Sequence, residues 1–220
     1  RYRRYDGKPA AGWDDADLSQ PLFDTPLDHG FDDCQFTSRS HGTSGPFRGG
    51  KKPNVPEQNV GPGHISGRTA IAATKNGKQL IDDGTKAYVL EELGGRHSDN
   101  AMRYLQSHVS SDKSSKKPFF LYYASNSNHG PHTPDSHVGD QPVAGAAKNV
   151  AGKSINTRGD YVYENDVALG RMLDWLEETD DPRNSDQKLI ETTIVIFTSD
   201  NGAEIDTTAA TGPFRSNKGS

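Results

Sequence analysis

Thr192-Thr193-Ile194-Val195-Ile196-Phe197-Thr198-Ser199-Asp200-Asn201-Gly202 decides the fold class of this chain. Its first seven residues are β-branched or aromatic without a break, the pattern of a strand covered on both faces. The strand then runs straight into a polar cluster. Upstream, Phe119-Phe120-Leu121-Tyr122-Tyr123-Ala124 repeats the arrangement, leading into Ser125-Asn126-Ser127-Asn128-His129-Gly130-Pro131-His132-Thr133-Pro134. Between the two runs, Asp160 to Glu178 predicts a helix, with Val162, Leu169, Leu173 and Leu176 on one stripe and Ala168, Met172 and Trp175 beside it. Asp181-Pro182 ends that helix. Before the first strand, Ser98-Asp99-Asn100 reads as the N-cap and first turn of a shorter amphipathic helix carrying Ala101, Met102, Leu105 and Val109. Helix, strand, loop, helix, strand predicts an α/β domain whose parallel or mixed sheet is buried between helices.

Residues 1 to about 84 read differently, being rich in Gly, Pro, Asp, Ser and Lys. Stretches such as Gly45-Pro46-Phe47-Arg48-Gly49-Gly50-Lys51-Lys52-Pro53 hold neither a helix nor a central strand. Loops this long in a compact enzyme build a binding surface. The expectation is one domain in which 1–84 is loop-rich and pocket-side and 85–220 is the α/β core. Composition agrees: only 31% of the 220 residues are hydrophobic, so core-forming stretches are few.

Charge and cysteine content narrow the function. A net charge of -5 argues against a nucleic-acid binder, which needs an excess of Lys and Arg to neutralise phosphates. The single cysteine, Cys34, excludes an internal disulfide and a multi-cysteine zinc site. No apolar run approaches the roughly 18 residues that span a bilayer, so no membrane partner is expected. In open α/β sheets, ligands bind where strands end. Asp200 and Asn201 place a carboxylate and an amide oxygen side by side there, hard ligands of the kind Ca²⁺ or Mg²⁺ takes. Taken singly, Asp-Asn-Gly is an ordinary turn signal, His129 and His132 are loop histidines and Lys218 is a solvated lysine. Order and spacing carry more than any one of them.

The run from Phe119 to Pro131 resembles the strand and histidine loop of the sulfatase family. Tyr161 to Leu176 is similar to the helix that follows it there. Thr193 to Gly202 resembles the family's metal-bearing strand end, and Phe214-Arg215-Ser216-Asn217-Lys218-Gly219-Ser220 its lysine loop. Pro26-Leu27-Asp28-His29-Gly30-Phe31-Asp32 resembles a segment that follows the family's first catalytic lysine and histidine. The resemblance implies an alkaline-phosphatase-like fold, with a mixed, mainly parallel sheet and helices on both faces. It implies hydrolysis of sulfate esters by a formylglycine beside a divalent cation, usually calcium, with magnesium an alternative. Asp200 and Asn201 would be metal ligands, and Lys218 would hold a sulfate oxygen. His129 would contact the sulfate and protonate the leaving alcohol, with His132 the alternative, and Ser40 would lend a hydroxyl. The substrate would be a sulfated small molecule or glycan, and the enzyme periplasmic or secreted. The family's nucleophile lies in a Cys-x-Pro-x-Arg-like stretch. Cys34 does not stand in one: it lacks the proline and follows the Gly-Phe-Asp segment. The chain therefore reads as the middle of an enzyme whose nucleophile and remaining metal ligands lie upstream, and alone it is expected to be inactive. The rival readings are a phosphodiesterase or phosphonate hydrolase of the same superfamily, for which His129, His132 and His137 speak, and a non-catalytic binder of sulfated glycans.

Overall fold

A computed structural model describes residues 6–8, 24–37, 64–68, 78–81 and 89–202, with the backbone alone at 64–68 and 78–81. The chain forms two units, residues 1–175 and 176–220. No helix among the described residues is long and apolar enough to cross a membrane.

Two helices organise the first unit. Helix α1 (Leu93–Ser110) buries Ser98, Ala101, Met102 and Leu105, the i, i+3, i+4, i+7 stripe of an amphipathic helix. Helix α2 (Thr157–Glu178) buries Asp160, Tyr161, Glu164, Ala168 and Met172. Ala101, Met102, Leu105 and Met172 meet in one cluster, onto which Phe119, Leu121, Tyr123 and Trp175 pack. A fully buried leucine such as Leu105 contributes about 1.5–3 kcal/mol through the water its side chain sheds. Val138, Val143 and Ala168 form a second cluster under a short hairpin, β4 (His137–Val138) and β5 (Gln141–Pro142). Its turn needs a left-handed residue, which Gly139 supplies at φ 58°.

Both helices depart from the sequence reading in an informative way. Helix α1 starts at Leu93, so Ser98 is not its cap. Ser98 is wholly buried, and its hydroxyl accepts a hydrogen bond from Arg171 Nη1 at 3.2 Å, beside the Arg171–Asp99 pair at 2.6 Å. The cap-forming residue type joins two helices instead. Helix α2 starts earlier than Asp160, behind Asn156, whose side chain accepts the Gly159 N–H at 3.0 Å. Its buried face is also rotated from the expected one, because Val162 is half exposed while Tyr161 and Glu164 are fully enclosed. Both polar residues are enclosed because the loop before Asp135 bonds to them.

The pairing of strands among the described residues differs further from the sequence reading. Among the described residues every ladder is antiparallel. Strands β1 (Asp33–Thr37), β2 (His64–Arg68) and β3 (Lys78–Ile81) pair in that order, with Cys34 opposite Gly67 and Ser66 opposite Leu80. They lie inside the stretch expected to be loop-rich. Conversely, no ladder forms over 119–124 or 193–199 among the described residues. Burial along 119–124 alternates, with Phe119, Leu121 and Tyr123 packed inward and Phe120 and Tyr122 each over 70% exposed. Ile194, Ile196 and Phe197 are exposed as well. These runs have strand composition, but a ladder requires a paired strand, and none pairs with them among the described residues. The described residues thus show helices together with small antiparallel sheets.

In the second unit, β6 (Asp180–Asp181) and β7 (Asn184–Lys188) form a hairpin leading into a 3₁₀ turn, Leu189–Thr192. Asp181 is its anchor. The buried carboxylate accepts from Arg183 Nε at 2.9 Å, Arg183 Nη2 at 2.6 Å, the Arg183 backbone N–H at 2.8 Å and the Thr192 hydroxyl at 2.8 Å. The side-chain bonds from Arg183, ahead of its backbone bond and that from Thr192, hold the carboxyl well below the usual carboxylate range against the opposing effect of burial.

Two stability predictions follow from this packing. A Cβ on Gly94 would run into the Glu164 carboxylate, so Gly94→Ala should cost about 1–3 kcal/mol in thermal or urea unfolding; an unchanged midpoint would mean α1 and α2 do not meet this closely. Asp181 is depressed in the fold, so its stabilisation is present above about pH 4 and is lost on acidification. Asp181→Ala should therefore destabilise at pH 7 by about 1–3 kcal/mol and flatten the acid limb of the stability profile. Parallel acid limbs in variant and parent would refute the clamp.

Candidate functional site

The polar loop that follows Ala124 is docked on the N-terminal half of α2 by three consecutive side chains. Asn126 donates through Nδ2 to the Tyr161 hydroxyl at 2.7 Å, while its Oδ1 accepts from His97 Nδ1 on α1 at 3.0 Å. Ser127 donates its hydroxyl proton to Glu164 Oε1 at 2.6 Å. Asn128 accepts from Arg158 Nε at 3.1 Å. Asn128 also sits at φ 77°, a left-handed conformation that asparagine tolerates better than most residues. Arg158, Tyr161 and Glu164 are spaced three apart on α2 and so share one face.

Glu164 is the centre of this arrangement. Its second oxygen, Oε2, accepts the backbone N–H of Asp135 at 2.6 Å, and Asp135 Oδ2 in turn accepts the N–H of Gly95 at 3.0 Å. Burial raises the Glu164 carboxyl above its ordinary range, the bonds from Asp135 and Ser127 work against the rise, and the Asp135 charge adds to it. Tyr123 beside it is pushed up, first by burial and then by the Glu164 charge. Apolar periodicity does not single out Glu164, and Asp166, two positions on, is exposed.

His129 lies between the two attachments, half-buried, with Nδ1 2.7 Å from the Gly130 carbonyl oxygen. A carbonyl only accepts, so Nδ1 is the donor in this bond. His132 belongs to the same loop, its ring edge-on to Tyr161 at 6.2 Å between centroids. The two candidate histidines thus share one anchored segment. Asp200 and Asn201 lie in the second unit, both exposed. Ser199 Oγ donates to the Asn201 carbonyl at 2.7 Å, and Asn201 Nδ2 donates to the Gly202 carbonyl at 3.0 Å. The amide nitrogen is the donor in that bond, and Oδ1 takes no part in it. A carboxylate and an amide oxygen suit a hard cation, but among the described residues no three His, Cys, Asp or Glu side chains gather as a metal site. Ser40 and Lys218 lie outside the described residues. So does Ser44-Gly45-Pro46-Phe47-Arg48, a serine spelling of the nucleophile pattern that follows the Gly30-Phe31-Asp32 segment rather than preceding it.

A cavity of about 670 Å³ opens elsewhere in the first unit, lined by Phe31, Cys34, Phe36, Tyr104, Phe120 and Tyr122 among others. Neither His129 nor His132 lines it, and its walls are mostly apolar. It is distinct from the anchored loop.

Comparison with known proteins agrees with what the loop and the Ser-Asp-Asn-Gly end resemble. N-acetylgalactosamine-6-sulfatase of Canis lupus familiaris is 28% identical over 180 residues, covering 82% of this chain and 28% of that protein. The Homo sapiens protein of the same name is 29% identical over 194 residues, covering 86% and 30%. An N-acetylgalactosamine-6-O-sulfatase of Bacteroides thetaiotaomicron is 30% identical over 117 residues, covering 53% and 18%. The chain thus spans less than a third of the length of these relatives. No solved structure matches it. The sulfatase family model matches residues 3–220, from before the Gly30-Phe31-Asp32 segment to beyond Lys218, and the chain belongs to the sulfatase family.

Proposed function

We propose that this chain is part of the catalytic domain of a sulfatase, a hydrolase of sulfuric esters with an alkaline-phosphatase-like, mainly parallel sheet completed by the rest of the enzyme. The family match across 3–220 carries the reading, since it spans His129, Asp200, Asn201 and Lys218. A sulfate ester presents three non-bridging oxygens whose charge shifts as the ester bond breaks, so clustered positive charge aimed at them accelerates the reaction. Lys218 supplies a point charge to one oxygen. His129, with Nδ1 committed to Gly130, passes its proton from Nε2 to the departing alcohol. Asp200 and Asn201 offer oxygen ligands to a divalent cation, calcium or magnesium, which when bound adds positive charge at the sulfate. The relatives' names point to a sulfated amino sugar as the substrate class to test first.

The test is hydrolysis by the full-length protein, assayed on paired sulfate and phosphate esters and on N-acetylgalactosamine 6-sulfate. Sulfate esters should be the preferred substrates, chelation should abolish turnover, and Asp200→Ala or Lys218→Ala should each lower kcat/KM by about 10²-fold or more. The 220-residue chain alone should be inactive. Preference for phosphate esters, or full activity in Asp200→Ala, would overturn the reading.

A further inference from the structure

Glu164 is an expensive residue in its position. A carboxylate removed from water costs several kcal/mol unless both oxygens are satisfied, and an apolar side chain would pack between α1 and α2 without that cost. Both oxygens instead go to one target. Oε1 takes the Ser127 hydroxyl and Oε2 the Asp135 N–H, each at 2.6 Å. These two points bracket His129 from either side along the chain. The fold also makes room for the carboxylate. Glycine stands at position 94, in the first turn of α1, where any Cβ would meet Glu164. The next residue's N–H, on Gly95, holds the Asp135 side chain from α1. A Cβ at Gly95 would likewise meet Asp135, at 2.7 Å from Oδ2. Two successive glycines in α1, one buried carboxylate in α2 and two ends of a loop therefore serve a single arrangement.

We infer that Glu164 is a positioning residue for His129: by gripping Ser127 and Asp135 it fixes the loop between them, and so sets where the imidazole meets the departing alcohol. Both Glu164 oxygens are committed to the loop, so its effect runs through the loop. The inference rests on the sulfatase reading for its catalytic consequence, and on the hydrogen bonds alone for its structural one.

Because a positioned acid matters most when the leaving group is poor, the two consequences can be measured apart. In the full-length protein, Glu164→Ala should raise hydrogen exchange of the amides in 125–135. It should also slow an unactivated alkyl or sugar sulfate by about tenfold or more relative to an activated nitrophenyl sulfate, whose departure needs little proton transfer. A loss of folded protein would slow both substrates equally, so the ratio separates positioning from simple destabilisation. Glu164→Gln can accept the Asp135 N–H through its amide oxygen and donate to Ser127 through its nitrogen, and should restore most of the ratio. Should Glu164→Ala fail to fold, Ser127→Ala removes one grip and leaves the other, and should shift the ratio the same way by a smaller factor. Asp166→Ala, exposed on the same helix, should change neither readout. An unchanged substrate ratio or unchanged exchange across 125–135 in a folded Glu164→Ala or Ser127→Ala protein would overturn the inference. If the parent enzyme instead prefers phosphate esters, the sulfatase reading fails while the exchange result, and the same ratio measured on alkyl and aryl phosphates, still decides the role of Glu164.

Discussion

A carboxylate buried between two helices has to find hydrogen-bond donors there, and in this chain the donors come from a loop. That constraint ties together parts that are distant in sequence. Helix α2 cannot close on α1 at this point without Ser127 and the Asp135 N–H in place, because Glu164 would then be enclosed with its oxygens bare. The loop, in turn, has little apolar surface of its own and takes its shape from the helix face carrying Arg158, Tyr161 and Glu164. Burial of the helices and ordering of the loop are thus one event. Tyr123 is drawn in as well, since its phenol is buried beside the same carboxylate and resists ionising for that reason.

The helices were legible because their apolar residues recur at helical spacing, and Ala101, Met102 and Leu105 do face the core. What the spacing misjudged is which way α2 turns. Hydropathy puts Val162 inward and Glu164 outward; the structure does the reverse, because a satisfied polar side chain can be core and no periodicity of apolar residues records that. Strands fared less well for a related reason. Asp33–Thr37, His64–Arg68 and Lys78–Ile81 are short and mixed in composition, so nothing local marks them, and it is pairing across a ladder that makes them strands. The run 193–199 has the opposite character, strong local preference without a partner among the described residues.

At the site, the histidines and the Asp-Asn pair could be picked out because their residue types bear chemistry. Asn126, Ser127 and Asn128 could not, since small polar residues before a Gly-Pro read as loop filler. Each of them is a separate attachment to α2. A signal was present on the other side: arginine, tyrosine and glutamate three apart on an otherwise amphipathic helix form a polar face that needs polar company. Read that way, α2 asks for a loop to bind, and the Asn-Ser-Asn run is the nearest candidate by composition.

The His129 loop of the first unit and the Asp200-Asn201 turn of the second are each held by a different kind of bond, and this governs how each responds to change. Asp200 and Asn201 are set by bonds within a residue or two, Ser199 to the Asn201 carbonyl and Asn201 to the Gly202 carbonyl, beyond a hairpin clamped by Asp181 and Arg183. Short-range bonds of this sort survive rearrangement elsewhere, so Asp200 and Asn201 inherit little from the helices. His129 is set by bonds reaching roughly 30 residues along the chain, so its position is a property of the packed helices themselves. Repacking of α1 and α2 around Glu164 would therefore move the His129 loop while leaving the local bonds of the Asp200-Asn201 turn as they are. The glycine at position 94 is where that adjustment is most constrained, because any side chain there displaces the carboxylate on which the loop depends.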